Sequence, residues 1–101
     1  MSKPSTRRVT AIVAIDARLQ VERVQTGVKV EKRILKVMKA LAEYHDMTLG
    51  DLLEGIVLHA FEGKPAFGKE TLARIAQLRA IYGLDLRAID SHRLVERGAH
   101  E

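Results

Sequence analysis

The chain has 101 residues, enough for one domain or for a small domain with extensions. It contains no cysteine, which excludes disulfides and thiolate metal sites. Hydrophobic residues make up 47%, yet only Tyr44, Phe61, Phe67 and Tyr82 are aromatic. A core of Leu, Ile, Val and Ala on so short a chain is thin, and small chains often complete such a core by oligomerising.

The net charge of +4 is unevenly spread. Residues 1–24 carry net +3, residues 25–63 net −1 and residues 64–101 net +2. The middle segment is polarised: Lys29, Lys32, Arg33, Lys36 and Lys39 all precede Glu43, Asp46, Asp51, Glu54 and Glu62. A basic end followed by an acidic one suits a polyanion approached in one orientation. The apolar run Ala11 to Ile15 is too short for a secretory signal and ends at Asp16. No run approaches the ~20 residues of a membrane span. The expectation is a soluble, cytoplasmic protein with no membrane partner.

Taken in order, Met1 to Arg8 reads as a polar arm whose Lys3, Arg7 and Arg8 can touch phosphate. Val9 to Ile15 is rich in β-branched residues and predicts a strand, although Thr10 to Val24 can also be drawn as a helix. A turn at Asp16 to Arg18 and an extended candidate at Leu19 to Val24 follow the strand. Gln25 to Val30 alternates, with Thr26, Val28 and Val30 on one face and Gln25, Gly27 and Lys29 on the other. Glu31 opens a helix to about Asp46. Ile34, Leu35, Met38, Leu41 and Ala42 form its apolar stripe, opposite Lys32, Arg33, Lys36 and Lys39. Thr48 and Asp51 have capping-box spacing at the start of a second helix, Leu49 to about Glu62. That helix is apolar over more than half its circumference, too much for one neighbour to cover. Gly55 within it suggests close helix approach at a dimer axis. After the break at Gly63 to Gly68, a third helix is predicted over Lys69 to Tyr82, stopped by Gly83. A fourth is predicted over Leu86 to Arg97, capped by Asp85.

A short alternating segment, a basic amphipathic helix and an apolar second helix, in that order over Gln25 to Phe61, resemble the ribbon-helix-helix domain of the Arc/MetJ family of DNA-binding repressors. The resemblance implies a mainly α fold with a short β ribbon: a ribbon-helix-helix dimer plus a C-terminal helical hairpin. The expected division is an N-terminal arm with a β segment (1–24), the ribbon-helix-helix domain (25–63) and the hairpin (64–101). It further implies that two ribbon strands pair across a two-fold axis and enter the major groove. Gln25, Gly27 and Lys29 would then contact bases. Lys32, Arg33, Lys36 and the backbone of Thr48 and Leu49 would contact phosphate. Val28, Val30, Leu52, Leu53, Gly55, Ile56 and Phe61 would form the dimer core.

The chain departs from the family pattern at Gly27, which removes one base-reading side chain, at Asp46-Met47, where the family has glycine, and at Asp51, an acid near the expected phosphate. Catalysis finds no support: His45, His59, His92 and His100 lack metal-ligand spacing, and no nucleophile or phosphate-loop motif is present. The expectation is a homodimeric, sequence-specific regulator of double-stranded DNA, with no enzymatic activity, cofactor or metal. The C-terminal hairpin is a candidate surface for a protein partner. The alternatives are an antitoxin of a toxin–antitoxin pair and a dimerisation or scaffold module without DNA binding.

Overall fold

The computed structural model describes residues 18–98. Three of the four expected helices form: α1 (Lys32–Tyr44), α2 (Leu49–Phe61) and α3 (Lys69–Tyr82). The strand expected over Val9 to Ile15 lies outside the described residues.

Each helix begins and ends for a local reason. Glu31 is the N-cap of α1, its Oε1 accepting the Ile34 N–H at 2.9 Å. Thr48 caps α2 through Oγ1, which accepts the Asp51 N–H at 3.1 Å. All three helices end with the chain reversing through a left-handed residue, Asp46 (φ 56°), Gly63 (φ 69°) and Gly83 (φ 65°). In each case the next N–H returns to the last turn: Met47 to Ala42 O, Lys64 to His59 O and Leu84 to Arg79 O, at 2.8–2.9 Å. Asp46 stands where the resembled family has glycine, and its short polar side chain tolerates the same conformation.

Helix α1 is the centre of the packing, with α2 on one side and α3 on the other, and α2 and α3 do not pack together. The core is Leu41 and Ala42 of α1 against Leu52 of α2. Met38, Leu49, Ile56, Phe67, Ile75 and Leu78 close around it. Val37 and Leu84 are also buried. Val37 was not part of the predicted stripe; a helix flanked on two sides buries a wider arc than one flanked once. Phe67, and Ile75 and Leu78 of α3, thus pack on the same core as α1.

Two expectations about regular structure are corrected. No strand is present among the described residues, so the β ribbon over Gln25 to Val30 does not form. A strand is stabilised by its ladder, and among the described residues no second strand pairs with this segment to supply one. Its residues are exposed, Val28 at 77%. The ribbon-helix-helix architecture that depended on the ribbon is therefore absent, and the fold is three helices, two of them packed on α1.

The fourth helix also does not form; only a 3₁₀ turn, Ala88–Asp90, stands in its place. An α-helix from Leu86 requires the Leu86 carbonyl to accept the Asp90 N–H. Instead Arg79 Nη2 donates to Leu86 O at 2.9 Å, and the Asp90 N–H goes to Arg87 O. The Asp90 carboxylate folds back to accept the Arg87 N–H at 2.8 Å. Asp85, expected as the cap, pairs with Arg33.

Candidate nucleic-acid interface

Lys32, Lys36 and Lys39 are spaced by four and three residues, which places them on one face of α1. All three face solvent, opposite the buried Val37, Leu41 and Ala42. Lys36 Nζ stands 6.0 Å from the centre of the Tyr82 ring, so the end of α3 borders this face. Just ahead of α1, Lys29 extends into solvent, its side chain 91% exposed, with Glu96 Oε1 at 3.9 Å from Nζ. Gln25 and Gly27 are exposed in the same segment. A side chain at Gly27 would meet nothing within 4 Å, so its absence is a loss of reach rather than a packing requirement.

Arg33, grouped with these lysines by its spacing, is engaged elsewhere. Its Nε bonds Glu31 Oε2 at 2.9 Å, and its Nη1 bonds Gly83 O at 3.0 Å and Asp85 Oδ1 at 3.1 Å. The Glu31 hydrogen bond raises the Arg33 pKa further, so the guanidinium stays charged. Nε thus holds the cap of its own helix, and Nη1 ties the start of α1 to the end of α3. Burial pulls the Glu31 carboxyl upward. The Ile34 N–H and the Arg33 guanidinium outweigh that pull, and the group lies below its ordinary value.

The start of α2 is the other expected phosphate contact. Thr48 and Leu49 border an open cleft of about 500 Å³ between the ends of α1 and α2, lined also by Lys39, Glu43, Asp46 and Asp51. Only half of the capping box is made. Asp51 does not return to the Thr48 N–H; its Oδ1 accepts from Arg23 Nη2 at 3.1 Å. The same guanidinium grips Glu54 with two bonds of 2.8 Å, Nε to Oε2 and Nη2 to Oε1. The hydrogen bond from Arg23 lowers the Glu54 carboxyl. Arg23 thus offsets two acids on α2 and ties its own position to that helix. Nothing local in the sequence signals it, because its partners lie 28 and 31 residues away.

The expected dimer-core residues divide. Leu52 is buried in the chain's own core and Ile56 packs half-buried against it. Val28, Val30, Leu53 and Phe61 are exposed, as are Val57 and Leu58 beside them. Leu53, Val57 and Phe61 repeat every four residues, which makes one apolar strip along the outer side of α2. His59 is satisfied within its own helix, Nδ1 donating to Gly55 O at 2.7 Å. His45 Nε2 lies 3.3 Å from Thr71 Oγ1. Among the described residues no helix is long and apolar enough to cross a membrane, and no His, Asp and Glu cluster has a metal-binding arrangement.

Comparison of the chain with protein-family models, with curated proteins and with solved structures found no match.

Proposed function

We propose that the chain is a sequence-specific, DNA-binding regulator that acts as a homodimer. The observation that carries this reading is the solvent-facing lysine face of α1, Lys32, Lys36 and Lys39, continued by Lys29. Cations on one rigid face, held by a helix whose opposite side is the core, suit the regular charge array of a duplex backbone. In this reading the α1 lysines hold phosphate without reading sequence, while Lys29 and Gln25, in the exposed segment ahead of the helix, reach base edges. Arg33 is left out of the phosphate set because its Nε is engaged by Glu31 and its Nη1 by the residues that follow α3. The apolar strip of α2 supports the homodimer, which would present two such faces on one duplex.

The test is fluorescence anisotropy on duplexes selected from a random pool, across a salt series. Lys36→Ala should weaken binding to every sequence alike and reduce the slope of log K against log salt by about one. Lys29→Ala should narrow the gap between selected and random duplexes, by ~1–3 kcal/mol for a lost base contact. Absence of binding by the unaltered chain at low salt would leave the α2 strip as the working surface and make the protein a dimerisation module.

A further inference from the structure

The C-terminal segment beyond α3 is placed, although it is not helical, and the residues that place it are distant in sequence. Arg33 of α1 holds Gly83 O and Asp85, and Arg79 of α3 holds Leu86 O. Leu84, between these anchors, is buried. From there the chain passes through the Ala88–Asp90 turn and returns to the segment ahead of α1, where Glu96 comes within 3.9 Å of Lys29. Residues 87–97 carry Arg87, Arg93 and Arg97 against Asp90 and Glu96. Both acids are already engaged, Asp90 by the Arg87 N–H and Glu96 by Lys29. Among the described residues the three arginines make no ion pair, and all are exposed.

We infer that the C-terminal segment forms part of the DNA-binding surface, with Arg93 and Arg97 contacting phosphates next to those held by the α1 face. The inference rests on the DNA-binding reading and adds to it a second, non-helical element. Arg97 is adjacent in sequence to Glu96, and Arg93 is three residues away, so each backbone position lies within about 11 Å of the one that touches Lys29. A duplex carries a phosphate every ~3.4 Å of axis per strand, so a patch of that breadth spans neighbouring phosphates. The Lys29–Glu96 contact is long and fully solvated, and such pairs are worth little. A duplex can therefore draw Lys29 away from Glu96 to a base edge. The anchors at Gly83 and Leu86 limit the ordering that binding must impose on the segment.

The experiment compares the unaltered chain, the double variant Arg93→Ala/Arg97→Ala and Glu96→Gln by anisotropy on one duplex over a salt series. Circular dichroism checks that helix content is unchanged. Losing two phosphate contacts should reduce the salt slope by about two, and weaken all duplexes alike. Glu96→Gln should tighten binding severalfold by freeing Lys29. If the double variant binds with an unchanged slope, or Glu96→Gln does not tighten binding, the segment is not part of the surface, while the α1 reading stands. If the unaltered chain binds no duplex at low salt, both readings fall together.

Discussion

Helices α1 and α2 are the same length, thirteen residues, and their fates are opposite. The inner face of α1 buries Val37, Leu41 and Ala42 between two neighbours, while its outer face is lysine. Helix α2 is the more apolar of the two, yet it buries only Leu52 and leaves every residue from Val57 to Phe61 exposed. Apolar composition sets how much surface a helix needs covered; which surface is covered depends on where its neighbours lie. Helix α1 finds both of its neighbours within the chain. The far half of α2 finds none among the described residues, and that difference makes α1 the structural centre and leaves the outer side of α2 exposed.

The sharpest way to break this comparison is at its centre. Leu41 is 3% exposed where the three helices converge. Leu41→Ala should cost about 2–5 kcal/mol, the usual range for a buried Leu truncated in a packed core. Thermal unfolding followed by circular dichroism reads this directly. A loss below about 1 kcal/mol would mean that α1 is not the element on which the fold depends.

The mirror experiment is Phe61→Ala on α2. Phe61 is 81% exposed, so truncating it within an isolated chain should change stability by no more than about 0.5 kcal/mol. If the α2 strip is the dimer contact, Phe61 is an aromatic anchor, and its loss should cost about 2 kcal/mol of association. Sedimentation would then show the dimer dissociation constant rising more than tenfold while the dilute chain melts as before. Equal dissociation constants for both proteins would remove Phe61 from the interface.

The contrast between the two helices also explains what was legible in the sequence. The boundaries of α3 were readable to the residue, and those of α1 and α2 to within one or two, because caps and 3.6-residue spacing are local signals. The lysine face of α1 was legible for the same reason. The ribbon was not, because alternation at Thr26, Val28 and Val30 records a capacity to pair, and pairing requires a second strand. The fourth helix failed because Arg79 takes the Leu86 carbonyl, a choice made by α3 and invisible in residues 86–97. The contact of Arg33 with Asp85 was not legible from its spacing with the lysines, because Asp85 is 52 residues away.

A smaller effect tests how the α1 side is held. Glu31 caps α1 and orients Arg33 towards the end of α3. Glu31→Ala should cost about 1 kcal/mol, as N-cap losses typically do. The carboxyl lies below its ordinary value of 4.5 in the folded chain, so the unfolded chain binds the proton more readily. Its contribution to stability is complete above pH 4.5 and is lost as pH falls from there through the folded value. The difference in melting temperature between the unaltered chain and Glu31→Ala should therefore shrink on acidification below 4.5. A difference that stays constant would mean the cap acts without its charge.

The smallest effect is the most discriminating, because its sign separates the two regions. Gly55 lies within α2, and a Cβ added there would meet nothing within 4 Å in the chain. In the isolated chain Gly55→Ala should therefore stabilise, by about 0.4–1 kcal/mol, since it removes unfolded-state freedom and favours helix. If two α2 helices approach closely at Gly55, the same methyl overpacks the contact and weakens association. The substitution should then raise the melting temperature at concentrations below the dimer dissociation constant and lower it above. Stabilisation at every concentration would place any close helix approach away from Gly55, on the Leu53, Val57 and Phe61 strip, which lies on a different side of α2. Destabilisation even at the lowest concentration would mean that the space beside Gly55 is filled within the chain itself.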